Sequence, residues 1–493
     1  MGPMTIRRKT GARHLSLAGV SSVLLATAAQ SQVFTNSMDP GIGGFGNFGL
    51  NAAGPATLLT YGVDAGVGET DNVTLVPTNK ISQTIATADA DFTVKEQTRL
   101  LDVNAKGNFS DLNYLQGAYG NELIGRFDGQ AQLAIIPERL TWVLSDDFGD
   151  ATVDAFTPAT PTNLQYVNYV STGPNLYLRL GGTGFINATA RYAEAYYENS
   201  PFNSNRALAT LTAGLQLSSA SSVSLNGAGE RVMFQNTELN SDFDRSTVYG
   251  RYEAHGARTD LAANLGATTV DQQGKSTTGG IGKLELTRKL SPSARLTFTA
   301  GRELTDASSS FSTLQGGAIN MINVAPTPLT SDSYVSTYAS VGWQYQRNRT
   351  TVAITARWQR DRYPGNPQFD LNTGGGEFNI QRQMTRSFSA QLIGRLYKFD
   401  YLHANVAETG LVGVPPVVGA NTVGSAEYNN GLIGAALVWR HGRSLEVRLR
   451  YDYNSYVVST GNTGYRSNTV FLTVGYRPRS AAELQQLELP EPP

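Results

Sequence analysis

The sequence predicts a transmembrane antiparallel β-barrel of about twenty strands, with eighteen as the alternative count, and three observations carry that expectation. From Leu445 to Tyr453 apolar residues stand at 445, 447, 449, 451 and 453, and charged residues at 446, 448, 450 and 452. One wholly apolar face and one wholly ionised face suit a strand with lipid on one side and water on the other. The N-terminus carries an export signal, and tight turns alternate with longer loops along the rest of the chain.

Arg7, Arg8, Lys9 and Arg13 precede an apolar run from Leu15 to Ala29 that ends in small residues, with Ala26-Thr27-Ala28 as a cleavage site. Residues 1–28 therefore read as a secretory signal. At about 15 residues the run is shorter than the roughly 20 that span a bilayer as a helix. Removal of the four basic residues leaves 35 basic against 40 acidic residues, a mildly acidic chain that offers nothing to nucleic acid. The absence of cysteine excludes disulfides and thiolate metal sites. Past residue 30 no run is long and apolar enough for a membrane helix, so a membrane location requires a closed barrel.

Residues 29–55, containing Gly-Ile-Gly-Gly-Phe-Gly-Asn-Phe-Gly, read as a flexible Gly-rich periplasmic leader. Residues 56–477 form the barrel, and residues 478–493 a periplasmic tail. Period-two alternation recurs within the barrel. Leu296, Phe298 and Ala300 alternate with Arg295, Thr297 and Thr299, and Val335 to Tyr345 alternates with Tyr334 to Gln344. Strand cores follow at 57–66, 83–95, 97–108, 120–135, 139–149, 165–180, 184–197, 205–218, 222–235, 245–255, 259–270, 278–289, 294–304, 333–346, 350–361, 373–384, 387–400, 426–439, 443–457 and 467–477. Even-numbered strands end in tight turns such as Pro137-Glu138, Ser291-Pro292 and Asn348-Arg349, and odd-numbered ones in longer loops. Short periplasmic turns alternating with longer external loops are the mark of a transmembrane barrel. Trp142, Trp343 and Trp439 fall near the tight-turn interface and Trp358 towards the other; Tyr197, Tyr453 and Tyr476 complete the expected aromatic belts.

Two short segments, Tyr61-Gly62-Val63-Asp64-Ala65-Gly66 running into Asp71-Asn72-Val73-Thr74-Leu75, and Ser171-Thr172-Gly173-Pro174-Asn175, resemble the β-barrel porin family of outer-membrane proteins, many of whose members are associated with exopolysaccharide loci. The resemblance covers residues 57–477 loosely and implies an outer-membrane barrel without a defined activity. The carboxyl end departs from the usual pattern, because Tyr476 closes the last strand and a tail follows it.

Alternation assigns a set of charges to the lumen: Arg126, Asp128, Arg191, Glu230, Arg251, Glu253, Lys283, Glu285, Arg295, Glu303, Arg357, Arg395, Glu446, Arg448 and Arg450. Such groups either tune selectivity in a wet pore or merely satisfy one another, and Arg251, Lys283 and Arg295 beside Glu253 and Glu285 read as a cross-strand ladder of ion pairs. Catalysis has little support. His255, His403 and His441 are the histidines left after signal removal, and none sits in a nucleophile or metal spacing. Gly279-Gly280 and Gly374-Gly375-Gly376 read as strand glycines rather than phosphate cradles. Two loops stand out: 307–331 has no charge, and 404–424 carries only Glu408 and is rich in valine. Both read as constrictions folded into the mouth or as docking loops. The expected role is a porin-like pore for small hydrophilic solutes, without cofactor or metal. The alternative is a non-catalytic accessory of exopolysaccharide export. Expected partners are outer-membrane lipid and lipopolysaccharide, the barrel assembly machinery and polysaccharide-export components.

Overall fold

The computed structural model describes residues 56–153, 158–309, 330–403, 426–442, 444–458 and 464–478. The expected signal, the leader and the tail beyond Pro478 lie outside these residues, as do 310–329 and 404–425 of the two long loops.

Twenty strands form one antiparallel sheet in which each pairs with its neighbours in the chain and the last pairs with the first. They are β1 (Ala56–Thr70), β2 (Gln83–Gln97), β3 (Leu101–Tyr114), β4 (Glu122–Ile136), β5 (Leu140–Thr152), β6 (Leu164–Leu180) and β7 (Gly184–Tyr197). Next come β8 (Ser204–Ser218), β9 (Ser221–Phe234), β10 (Phe243–His255), β11 (Thr259–Gln272), β12 (Lys275–Ser291), β13 (Ala294–Thr305) and β14 (Tyr334–Arg347). The wall closes through β15 (Thr350–Arg362), β16 (Leu371–Gln383), β17 (Phe388–Tyr401), β18 (Ala426–His441), β19 (Leu445–Val458) and β20 (Gly464–Tyr476). Closure satisfies every strand edge inside the wall, which is what a backbone surrounded by hydrocarbon requires. The chain is therefore a transmembrane antiparallel β-barrel.

Every expected strand is present, with ends shifted by a few residues; the third begins at Leu101 because Thr98 closes a turn onto the Leu101 carbonyl. The alternation of connections has one exception. β11 and β12 are joined by Gln273-Gly274 alone, both at positive φ (51° and 73°), the backbone of a two-residue hairpin whose second position suits glycine. From Lys275 to Ile281, β12 pairs with β11, which stays paired with β10, but not with β13, so among the described residues its edge is open there.

The seam between β1 and β20 has only eight paired positions, Val63–Thr70 against Tyr476–Thr469, where β1 and β2 pair over fifteen. Side chains reinforce it at both ends. On the loop side, Asp71 accepts from the Asn468 backbone (2.8 Å) and side-chain amide (2.7 Å), and fully buried Asn72 donates to the carbonyls of Val76 (2.7 Å) and Arg466 (3.1 Å). At the tight-turn end Arg477 folds back to bond Asp64 (3.1 Å) and Asp91. The Asp-Asn segment is thus a clasp on barrel closure. The second segment marks a ladder break: the β6–β7 register skips Gly173 and Pro174, where a Cβ on Gly173 would lie 2.0 Å from the Ala190 carbonyl oxygen. Arg191 donates to the freed Pro174 carbonyl (3.0 Å).

The outer face is apolar. Val63, Leu123, Leu144, Leu211, Leu265, Ile354, Leu396, Ile433, Leu449 and Val474 are exposed along it, a pattern that matches the expectation for lipid.

Candidate functional site

A sheet of twenty strands spaced roughly 4.8 Å apart and tilted by about 40° closes at a backbone diameter of about 40 Å. Inward side chains alone do not fill such a lumen, so what enters it decides what passes.

Sequence-assigned charges line it in the expected register. Arg126 and Asp128 face inward on β4, and Lys106 bonds Asp128 at 3.3 Å. Arg251 pairs with Glu253 (2.6 Å) and Lys283 with Glu285 (2.7 Å). Arg448 meets Glu446 (2.7 Å) and Arg450 meets Asp452 (2.7 Å). Each of these four pairs runs along one strand between residues two apart, which share a face. Between β10 and β12, Asn264 of β11 stands opposite both Arg251 and Lys283. Arg357 donates to Gln359 on its own strand, and Arg395 stands opposite Glu377. Arg295 lies opposite Gln344. Gly279-Gly280 and Gly374-Gly375-Gly376 lie within β12 and β16. Of the histidines, His255 lies 3.3 Å from Asp260, and exposed His403 lies 3.7 Å from Asp370.

A second cluster was not foreseen as a unit. Past β13 the chain turns into the lumen, and Asp306, Ala307, Ser308 and Ser309 are all buried. Asp306 caps the helical turn that begins at Ala307, accepting from the Ser309 hydroxyl (2.7 Å) and backbone N–H (3.3 Å). Its carboxylate meets Arg206 of β8, and the same guanidinium reaches Glu230 of β9 (3.3 Å) and the Ser309 hydroxyl (3.0 Å). Arg245 of β10 bonds Glu230, comes within 3.5 Å of Asp306 and donates to the Leu304 carbonyl (3.2 Å). Tyr197 of β7 bonds Ser308 (2.9 Å), and the Arg206 guanidinium lies over the Tyr169 ring at 5.9 Å. Two cations and two anions thus neutralise one another in a buried site. Burial by itself would push the Asp306 carboxyl up, but Arg206 and Arg245 against it, with hydrogen bonds from Arg206 and Ser309, hold it well below the usual carboxylate range. The segment leaves β13 and fastens to strands three to six positions away around the wall, so it turns inward over that side of the lumen. A cavity of about 120 Å³ lies under it, lined by Glu230, Arg245, Tyr249, Asn264, Lys283 and Ser309 among others.

The other side of the lumen is aromatic. Tyr428 stacks on Phe399 (4.9 Å between centroids) and approaches Tyr456 (4.9 Å), which stacks on Tyr465 (5.5 Å). Leu371 and Tyr401 complete this packed wall on β16 to β20.

Of the belt candidates, Trp142, Trp358, Trp439 and Tyr476 are exposed on the outer face. Trp343 stacks beside Tyr345, opposite outward Ile354, and Tyr453 stands opposite outward Ile433. Tyr197 departs from expectation: it is 1% exposed and points inward, and its neighbour Tyr196, 47% exposed, faces out. Alternation on β7 points the same way over its first half, where Asn187, Thr189 and Arg191 share the parity of Tyr197, and blurs only towards the loop, where Ala193 and Ala195 face inward and Glu194 outward.

No protein-family model matches the chain, and no curated protein does. Among solved structures it is similar to the FrpB iron transporter from Neisseria meningitidis (11% identity, TM-score 0.41, covering 85% of this chain and 81% of that one). It is likewise similar to the siderophore receptor PirA from Pseudomonas aeruginosa (12%, 0.37, 84% and 79%) and to the copper transporter OprC (10%, 0.39, 85% and 80%). At these scores the likenesses carry no argument about what this barrel moves; that rests on its own lumen.

Proposed function

We propose that the chain is an outer-membrane channel for small hydrophilic solutes and that the inward segment Asp306–Ser309 sets its narrowest section. The carrying observation is the buried Arg206–Asp306–Arg245–Glu230 network, which holds this segment inward over a lumen lined elsewhere by paired charges and by one aromatic wall. A wall that is apolar outside and ionic inside favours a water-filled path over a solid core. The barrel supplies shape and charge and breaks no bond. The tight turns face the periplasm in this reading, and the longer loops face outward.

Planar-bilayer recording of the refolded protein tests the reading. Discrete ohmic steps are expected. A correctly folded, heat-modifiable barrel that never conducts would reject it and favour a role carried by the external loops.

A further inference from the structure

We infer that the outer wall carries a seat for the phosphorylated headgroup of an outer-leaflet glycolipid, built from Arg302, Arg360 and Arg362 above Trp358. The inference rests on the proposed outer-membrane placement with the long-loop end outward.

Register places these residues together. Arg302, Thr337 and Arg360 form one outward row across β13, β14 and β15; Arg362 stands opposite Val335 one row above, and Trp358 opposite Ala339 one row below. Two strand spacings set Arg302 and Arg360 about 10 Å apart. All three arginines line a single recess with Val335, Thr337 and Trp358. A second outward polar row, Arg347, Thr350 and Arg382, lies near the tight turns. Between the rows the outward residues are apolar or aromatic: Leu296, Phe298 and Ala300 on β13, Ala339, Val341, Trp343 and Tyr345 on β14, and Val352, Ile354, Ala356 and Trp358 on β15. From Thr337 to Arg347 is ten residues, about 26 Å of height at the usual rise and tilt, against an apolar band of about 25 Å. The recess therefore sits at headgroup level with Trp358 as the interfacial aromatic.

Its charge is largely uncompensated, unlike that of the lumen. Arg302 makes one long contact, to the Thr337 hydroxyl (3.4 Å), and Arg360 has no acidic partner among the described residues. Arg362 donates to Asn372 (2.9 Å) and to the carbonyls of Asp361 and Leu371, with Asp370 at 3.7 Å. The nearby acids Glu303 and Asp361 belong to the inward face, whereas Asp400 continues the outward row beyond Asn372, and Asp370, Asp361 and Asp400 all act on Arg362. That leaves Arg302 and Arg360 as the guanidinium groups without a carboxylate partner among the described residues, and beside apolar side chains at the lipid boundary they complement a phosphate joined to acyl chains.

The test compares wild type with Arg302→Gln/Arg360→Gln/Arg362→Gln, both folded in detergent and checked by heat modifiability. Each is titrated with diphosphoryl lipid A, with phosphatidylglycerol and with inorganic phosphate, and bound lipid is counted by native mass spectrometry. Wild type should retain lipid A, the triple variant should bind it at least tenfold more weakly, and Arg347→Gln/Arg382→Gln should match wild type. Phosphatidylglycerol and phosphate should each bind at least tenfold more weakly than lipid A. Undiminished binding by the triple variant, an equal loss in the Arg347/Arg382 variant, or equal affinity for phosphatidylglycerol overturns the inference. If the triple variant does not fold, Arg360→Gln alone carries the comparison. Because the measurement needs no conductance, a silent barrel that still binds lipid A defeats the channel reading and leaves the seat standing.

Discussion

Replacing Asp306 by Asn tests the inward segment directly, because it removes one charge from a neutral buried set of four. Arg206 and Arg245 then share Glu230 alone. Breaking a buried ion pair by removing one partner typically costs about 3–5 kcal/mol, most of it the penalty of the charge left behind. Here that penalty has an outlet, since release of Asp306–Ser309 exposes both guanidinium groups to lumen water. The ratio of seated to released segment should thus fall by roughly 10² to several thousand-fold, at 1.4 kcal/mol for each factor of ten. Single-channel recording should show larger steps for Asp306→Asn, with Arg206→Gln producing the same increase and the double variant adding little, because both act on one contact. pH supplies a second axis. The Asp306 carboxyl is held below its unfolded value, so its contribution is fully present above about pH 4 and fades progressively as the pH falls from there towards the folded-state value. Wild-type conductance should accordingly stay flat from pH 7 to about pH 4 and rise below that. Wild-type steps in Asp306→Asn, from protein that folds normally, would falsify the claim that this segment sets the bore.

Three further outcomes are expected. Leu449 faces lipid opposite Leu437, one row deeper than the interfacial Trp439–Val447 pair, so Leu449→Arg should weaken assembly by roughly 2–4 kcal/mol towards the midplane and Val447→Arg by only about 0–1 kcal/mol, whereas Arg448→Ala should leave it largely intact; similar losses at 448 and 449 in a heat-modifiability gel would refute the face assignment. Arg477→Ala should lower unfolding stability by about 1.5–3 kcal/mol, and Gly62→Val should mimic it, since a Cβ there would lie 2.6 Å from the Arg477 guanidinium; additive effects in the double variant would contradict a shared mechanism. For topology, cysteine at Asn348 should be shielded from an impermeant thiol reagent on intact cells and cysteine at Ser331 should label, with the reverse pattern inverting the barrel.

Strand number and face were legible because lipid and water impose opposite demands on alternate residues, and Leu445–Tyr453 records that demand in nine positions. Tyr197 shows where legibility stops. Its strand marks the inward face with Asn187, Thr189 and Arg191, but the last inward positions before it are Ala193 and Ala195, and near the loop an aromatic reads equally as belt or as lumen. The inward cluster was harder still. Glu230 was assigned to the lumen by alternation, but Arg206 and Arg245 were not singled out, and Asp306 lies one residue beyond its strand. The contacts of Asp306 with Arg245 and Arg206 join residues 61 and 100 positions apart, and a wet lumen imposes no spacing rule that would announce them. The one visible clue was the long uncharged stretch after Asp306, which made an inward loop one of two readings.

Charge inside this barrel does three separable jobs, and the difference lies in what each pair connects. Pairs such as Arg251–Glu253 and Lys283–Glu285 join positions already fixed by the strand ladder, so they neutralise the lumen without positioning anything new. Arg477 with Asp64 and Asp91 reinforces the seam where the ladder is shortest. The Arg206–Asp306 pair joins strand to inserted segment, a link the ladder does not duplicate. Stability and passage should therefore respond to different residues. Arg477→Ala should destabilise the barrel and leave the conductance of surviving channels unchanged. Asp306→Asn should enlarge the steps with little change in the unfolding midpoint of the wall. If a single variant moved both quantities in proportion, the inserted segment would have to be part of the wall's cooperative unit, and the division between seam and constriction would fail.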